Sequence, residues 1–119
     1  VPGGYVREGE MPDRAVEREI YEETGVVCKA RSLAALEMRP ERWCAVFIME
    51  HISGEPRSDG YENSEVLLLT AAEAAARPDI TDMSRAMLSA YAEGRFACLE
   101  KNSFVSPTAE EGKYGLYGF

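Results

Sequence analysis

A breaker-free, acidic segment from Pro12 to Thr24 constrains this chain more than any other feature of its sequence. Pro12 suits the first turn of a helix, Asp13 complements the positive end of the helix dipole, and Gly25 suits a left-handed stop. The segment therefore predicts one helix over residues 12–24.

Three carboxylates share one side of this predicted helix. At about 100° per residue, Glu19, Glu22 and Glu23 occupy an arc of about 100° beside the apolar stripe, with Arg18 next to them. Like charges at this spacing repel, and a divalent cation with a preference for oxygen ligands, Mg²⁺ or Mn²⁺, would remove the conflict. A solvated acidic face is the competing interpretation. The opposite side is expected to face water, and it carries Arg14, Glu17, Tyr21 and Thr24.

A longer pattern contains this helix. The segment from Gly4 to Val26 resembles the Nudix box, G-x5-E-x7-R-E-U-x-E-E-x-G-U with U aliphatic, at all nine specified positions. With a frequency of about 7% for a common residue, the seven fixed residues coincide by chance at about 10⁻⁸ per window. The resemblance covers most of residues 1–94 and favours the metal-site interpretation over the solvated face.

The resemblance implies a fold and a domain organisation. The fold is α/β, the Nudix α/β/α sandwich with a mixed sheet, truncated at the N-terminus because the family's strands before the box are missing here. We expect a Nudix domain over residues 1–100, lacking those strands, and a C-terminal tail with aromatic residues and glycines over residues 101–119.

The resemblance also assigns roles to residues. It makes Glu19, Glu22 and Glu23 the metal-binding, catalytic carboxylates, with Glu19 nearest to orient or deprotonate water. Arg18 pairs with them as a further catalytic residue. Structural residues of the motif are Gly4, Glu10 and Gly25. Family members often have a further metal ligand or base in the acidic segment downstream, here at Asp59, Glu62 and Glu65; a solvated turn is the competing, more common interpretation of these residues.

The implied chemistry is attack by a metal-activated water on one phosphorus of a nucleoside diphosphate linked to another group. An NTP, an oxidised dNTP or a nucleotide sugar would qualify, and Mg²⁺ is the expected cofactor, with Mn²⁺ as a substitute. Two alternatives stay open: a non-catalytic Nudix-like domain that senses a ligand or binds a partner, and an isomerase or other non-hydrolytic use of the fold.

Charge and composition bound the partners. The net charge is -8, from 13 Lys and Arg against 21 Asp and Glu, so no general field attracts duplex nucleic acid or anionic lipid. No apolar run approaches the roughly 20 residues of a membrane span. Three widely spaced cysteines suit a reducing compartment, which predicts the cytoplasm. The expected partner is a small nucleotide derivative, with a homodimer as a further expectation.

Downstream patterns predict three strands, over residues 26–37, 43–49 and 65–69, and two helices, one from Thr70 to before Pro78 and one over residues 81–93. A stripe of Met83, Met87 and Tyr91 on the last helix predicts core packing.

Trp43 and Tyr5 could stack a base, although core packing is the commoner role for a residue placed like Trp43. The lone His51 is expected to be a packed or surface residue. The aromatic tail is expected to cover its own sheet, with a homodimer interface as the alternative.

Overall fold

The computed structural model describes residues 2–61 and 66–119. Its elements, in chain order, are α1 (Pro12–Thr24), β1 (Val27–Arg39), β2 (Arg42–Ser53), α2 (Ala71–Ala75), α3 (Asp82–Ala92) and β3 (Leu99–Glu100). This mixture confirms the expected α/β class.

Helix α1 begins and ends where its sequence predicts. Pro12 opens it, and Asp13 lies in the first turn. Gly25 ends it with φ at 75°, and the Gly25 N–H donates to the Tyr21 carbonyl at 2.8 Å. Only glycine adopts this backbone conformation without a Cβ penalty, so Gly25 fixes the end of the acidic helix.

The sheet is built on a long hairpin. β1 and β2 pair antiparallel up to the partners Arg39 and Arg42, and β3 pairs antiparallel with the other edge of β1. The strands predicted over residues 26–37 and 43–49 are confirmed; β1 extends to Arg39 at the turn, and β2 extends beyond its predicted bounds at both ends, to Arg42 and Ser53. Every strand pairing in the described residues is antiparallel, where the resemblance implies a mixed sheet, because β1 and β2 are joined by a tight turn and β3 runs back along β1.

The strand predicted over residues 65–69 is wrong for the part that the structure describes. Glu65 lies outside the described residues, and residues 66–69 form no strand. Consecutive leucines are apolar enough for a strand, but a strand also needs a neighbouring edge to satisfy its backbone. Leu68 is instead 80% exposed.

The two predicted downstream helices are confirmed by their caps. The Thr70 hydroxyl accepts from the Glu73 N–H at 3.1 Å, and the Thr81 hydroxyl accepts from the Ser84 N–H at 3.2 Å. α2 and α3 pack against each other. The core role predicted for the stripe on α3 is wrong for Tyr91, which is 55% exposed, and α3 has no buried residue.

The core is small. Its buried apolar residues are Ala15 of α1 with Cys28 and Ala30 of β1, so small side chains let the helix approach the strand closely. No described large side chain is fully buried. The accessible surface is 8586 Å², compared with about 6,400 Å² for a compact monomer of this mass. Composition predicts a more substantial core, and in the structure many large apolar side chains stay exposed.

The side of α1 expected to face water is partly buried. Thr24 is buried, and the Glu17 side chain is only 15% exposed. The Glu17 carboxylate accepts from the Ala30 N–H of β1 at 3.1 Å. The prediction is wrong at these two positions because Glu17 and Thr24 lie on the part of α1 that packs on the sheet, where the Glu17 carboxylate accepts a hydrogen bond from a strand N–H.

The C-terminal tail lies against its own domain. Tyr117 forms an isolated bridge with Lys101, and its ring packs edge-on against Phe47 of β2 with centroids 5.5 Å apart. Lys101 Nζ and the Tyr117 hydroxyl both donate to Oδ2 of the buried Asp13, at 2.9 and 3.1 Å. Farther along, Lys113 Nζ donates to the Gly9 carbonyl. The tail therefore contacts both the sheet and the segment that begins α1.

Ionisation of Asp13 and Tyr117 reflects this contact. Burial raises the pKa of Asp13, but the hydrogen bond and charge of Lys101, aided by Tyr117, outweigh burial and leave that pKa below its usual range. Burial and then the charge of Asp13 raise the pKa of Tyr117. At neutral pH the contact therefore joins a carboxylate, an ammonium group and a neutral phenol.

Candidate active site

The carboxylates of α1 are organised by Arg18. Its Nη1 donates to Glu19 Oε1 at 2.8 Å and to Glu22 Oε2 at 3.1 Å. The spacing of one and four residues along the helix brings both carboxylates to the same guanidinium. Arg18 thus relieves the repulsion between Glu19 and Glu22. The sequence alone suggests that a divalent cation relieves it.

Arg18 is held in turn by Glu10, which lies in the loop before α1. Two parallel hydrogen bonds join the guanidinium to the Glu10 carboxylate, Nε to Oε2 at 2.8 Å and Nη2 to Oε1 at 3.0 Å. The Arg7 N–H also donates to Glu10 Oε1, at 3.1 Å. These bonds, that of Arg18 above all, lower the pKa of Glu10 to about 2 and raise the pKa of Arg18. The pair is therefore a fixed, fully ionised brace between loop and helix.

Gly4 gives Glu19 its place. The Glu19 carboxylate lies so close to the Gly4 backbone that a Cβ there would overlap it, with Oε2 only 2.8 Å away. Any larger residue at position 4 would therefore push the carboxylate aside. Arg18 Nη2 also donates to the Tyr5 carbonyl at 3.2 Å, which fixes the adjoining backbone. The segment carrying Gly4 and Tyr5 thus forms one wall around Glu19.

Glu22 and Glu23 face a cleft of about 300 Å³ between the end of α1 and the loop after β2. Arg7 Nη2 lies 3.5 Å from Glu22 Oε1 and so adds a second cation beside that carboxylate. Asp59, one of the downstream acids, also lines this cleft, whereas Glu62 and Glu65 lie outside the described residues. The full lining comprises Tyr21, Glu22, Glu23, Gly25, Arg57, Ser58 and Asp59.

The two aromatic candidates for base stacking, Trp43 and Tyr5, do not line this cleft. Trp43 is 69% exposed on the hairpin, so the core role favoured for it is wrong, and it does not line the cleft. The Tyr5 side chain is exposed, and its backbone carbonyl accepts the hydrogen bond from Arg18.

The histidine and the cysteines lie apart from the cleft lining. His51 is exposed, with Nε2 2.8 Å from the Gly54 carbonyl. Cys28, Cys44 and Cys98 are free thiols, and burial raises the pKa of Cys28.

The carboxylates of the box have the donor chemistry that a divalent cation needs. Carboxylate oxygens are hard ligands of the kind Mg²⁺ prefers, and the Gly4 recess holds one of them at a defined place. Within residues 2–61 and 66–119, however, no three His, Cys, Asp or Glu side chains already converge as a metal site. The carboxylates therefore fit a divalent cation chemically. Arg18 already donates hydrogen bonds to two of the oxygens that such a cation would use, one on Glu19 and one on Glu22.

Sequence reasoning missed the loop that closes the cleft. Arg57 and Ser58 lie between Gly54 and Gly60 in a segment rich in turn-forming residues, and nothing in their spacing ties them to α1. The structure joins them through the hydrogen bond from the Arg57 N–H to the Thr24 carbonyl, at 2.9 Å. The box residues, in contrast, lie close together in the sequence. Their spacing is therefore enough to identify them.

Comparison with known proteins decides the family. The family model for the NUDIX domain matches residues 1–91, three quarters of the chain. The chain belongs to the Nudix family. The matched residues include the whole segment from Gly4 to Val26. None of the described helices is long and apolar enough to cross a membrane.

A curated relative is the protein named ADP-ribose pyrophosphatase of Methanocaldococcus jannaschii. This Nudix chain is 43% identical to it over 61 residues, an alignment that covers 46% of the chain and 36% of the relative. The match therefore spans about a third of the relative's length.

Proposed function

We propose that this Nudix chain hydrolyses the diphosphate linkage of a nucleoside diphosphate joined to another group, with Mg²⁺ as cofactor and water as nucleophile. The observation that carries the proposal is that α1 carries all three helix carboxylates of the box, Glu19, Glu22 and Glu23, and that Arg18 binds two of them, Glu19 and Glu22. ADP-ribose is the first substrate to test, because the relative is named for its cleavage. NTPs, oxidised dNTPs and nucleotide sugars are the other members of the class.

Glu19, Glu22 and Glu23 would hold the divalent cation. When bound, such a cation neutralises phosphate charge, lowers the pKa of water and stabilises the leaving phosphate. Glu19 would orient or deprotonate the attacking water, and its position in the Gly4 recess beside Arg18 supports this role. Arg18 fixes the directions of Glu19 and Glu22, and Glu10 fixes Arg18.

The proposed partner is a small molecule and not a membrane or duplex nucleic acid. With a net charge of -8, the chain repels polyanions at long range, whereas a cation bridging carboxylates and phosphate acts only at contact. We place the protein in the cytoplasm, because its three free thiols suit a reducing compartment.

The test incubates the 119-residue chain with ADP-ribose and the other three substrate types, in Mg²⁺ and in EDTA, and separates the products by chromatography. We expect AMP and ribose 5-phosphate from ADP-ribose with Mg²⁺ only. In ¹⁸O-labelled water the label should enter one product phosphate. Saturable nucleotide binding without any product would instead indicate a ligand-sensing domain, and an unlabelled product would indicate non-hydrolytic chemistry.

A further inference from the structure

Arg57 is fixed at the end of the acidic helix by two contacts. Its N–H donates to the Thr24 carbonyl at 2.9 Å, which ties the loop backbone to the last turn of α1. Its side chain crosses Gly25 so closely that a Cβ there would lie 3.0 Å from Nε and 3.4 Å from Cζ. The glycine that ends the helix thus also leaves room for the guanidinium. These two contacts determine the position of Arg57 and keep its guanidinium beside the cleft.

Arg57 and two of the box carboxylates line the same cleft. Glu22 and Glu23 line it from the end of α1, and Arg57 lines it from the loop after β2. Its volume of about 300 Å³ is at the lower end of the range for small-molecule sites, enough for a compact polar group. One cleft therefore presents both the carboxylates proposed to hold a cation and an arginine.

Arg57 differs from the arginines around it in its charge balance. Arg18 contacts three carboxylates, and Arg14 lies 3.1 Å from Glu17. Arg7 lies 3.5 Å from Glu22. Arg57, by contrast, forms no ion pair with any carboxylate in residues 2–61 and 66–119. Arg57 does line the cleft, and a planar guanidinium suits phosphate oxygens because it can donate two parallel hydrogen bonds.

We propose that Arg57 is a substrate-binding residue that donates hydrogen bonds to a phosphate of the diphosphate group. The inference rests on the proposed function and deepens it. It explains how a chain of net charge -8 adds a protein cation to the metal in holding a dianionic linkage. A cation after a helix C-terminus could alternatively serve the helix dipole alone, and that role would affect stability without affecting ligand affinity.

The test compares Arg57→Gln and Arg57→Lys with a matched control, Arg95→Gln. Arg95 also follows the end of a helix, after Gly94, but it pairs with Glu93 and does not line the cleft. Affinity is measured by calorimetry with Mg²⁺ and two probes, inorganic pyrophosphate and an ADP-ribose analogue with methylene as the bridging group. Neither affinity measurement needs turnover by this chain.

We expect Arg57→Gln to weaken both affinities about 10- to 100-fold, the effect of losing a hydrogen bond to a charged group. Arg57→Lys should weaken them less, and Arg95→Gln should leave them unchanged. For hydrolysis of ADP-ribose, Arg57→Gln should raise KM more than it lowers kcat. Unfolding temperatures without ligand show whether either variant merely loosens the helix end.

The outcomes separate the two proposals. Equal affinities for wild type and Arg57→Gln, with a lower unfolding temperature for the variant, would overturn the role of Arg57 and leave hydrolysis standing. Weaker binding by Arg57→Gln without ADP-ribose cleavage by the wild type would support Arg57 and overturn hydrolysis of that substrate. If the wild-type chain binds neither probe, the role of Arg57 is overturned.

Discussion

At the scale of single residues, Arg18 determines how the acidic side chains of α1 coexist. One guanidinium contacts Glu10 through two nitrogens and shares a third between Glu19 and Glu22. A cation that binds Glu19 and Glu22 would compete with Arg18 for carboxylate oxygens. Arg18 therefore both prepares the carboxylates and sets a cost on metal binding, so changes in it should alter metal affinity as well as turnover.

Replacing the cleft carboxylates one at a time tests their role. Glu22→Gln or Glu23→Gln should remove about 3–4 kcal/mol of transition-state stabilisation, or ~10²- to 10³-fold in kcat/KM at saturating Mg²⁺. The fold should stay intact, because Glu22 is half-exposed and losing its ion pairs is offset by reduced repulsion.

The matched control is Glu41→Gln, which changes an exposed carboxylate at the β1–β2 turn and should leave kcat/KM unchanged. Circular dichroism melts of all three variants check the fold. Unchanged turnover in Glu22→Gln and Glu23→Gln would remove these residues from the proposed site.

The brace between Glu10 and Arg18 predicts a pH dependence. The pKa of Glu10 falls from 4.5 to about 2 in the folded chain, chiefly through the Arg18 hydrogen bond. A lowered folded pKa gives stability that is present above pH 4.5 and is lost as the pH falls towards 2. Wild type should therefore melt higher than Glu10→Gln above pH 4.5, and the gap should narrow between pH 4.5 and 2.

Thermal melts of both proteins at half-unit pH steps measure this gap. Asp79→Asn serves as control, since its carboxylate pairs with Arg77 outside the site and its own pKa is lowered by that arginine. A gap between wild type and Glu10→Gln that stays constant down to pH 2 would contradict the brace.

Which residues of the site could be predicted follows from chain separation. Gly4, Glu10 and Arg18 lie within one turn-and-helix segment, so helical geometry and a short pattern bring them together. Arg57, in contrast, is separated from α1 in the sequence by the whole β1–β2 hairpin. The length and twist of this hairpin determine that the loop after β2 contacts the end of α1. No local sequence pattern in the loop predicts this contact.

At the scale of elements, α1 is anchored on two sides. Glu17 joins it to β1 through the Ala30 N–H, and Asp13 joins its first turn to the tail. The bounds of α1 were predictable because proline and glycine act locally. The absence of a strand over residues 66–69 was not, since strand formation depends on an edge elsewhere in the chain.

Removing the tail tests whether it anchors the domain. Deleting residues 102–119 removes the Tyr117 contacts to Asp13 and Phe47 and leaves a buried carboxylate with fewer partners. The melting temperature should fall by several degrees, and the loss should be equal at every protein concentration, since the contacts lie within one chain. A loss that grows on dilution would indicate a homodimer interface, and no loss would contradict the anchoring role.

A point variant isolates the polar part of that contact. Tyr117→Phe keeps the ring against Phe47 but removes the hydrogen bond to Asp13, which should cost about 1.5–3 kcal/mol. Tyr114→Phe is the matched control: its ring packs on Phe104, and the described contacts include no hydrogen bond from its hydroxyl. Chemical denaturation of both variants should separate them by that amount.

At the scale of the whole molecule, the chain is less compact than its length suggests. The radius of gyration is 15.2 Å, compared with about 13.5 Å for a compact domain of this size. Composition predicted a fuller core because it counts apolar residues without regard to where the sheet places them. Leu36, Met38 and Trp43 end up on the outer half of the hairpin, 45%, 61% and 69% exposed.

These hairpin residues predict self-association. Met38 and Trp43 are cross-strand partners, and the Leu36–Ala45 pair is two residues along, so they share one face and form a continuous apolar strip. Burying such a strip contributes about 25 cal/mol per Å², which favours contact between copies at high concentration.

The apparent mass in sedimentation experiments should therefore rise with protein concentration. The double variant Met38→Ser/Trp43→Ser should shift the equilibrium towards monomer. Because both side chains are already exposed, that variant should keep its melting temperature, while Val105→Ser, an exposed apolar residue in the tail, should leave association unchanged. A wild-type chain that stays a monodisperse monomer with a sharp, reversible melt would contradict the role of the strip.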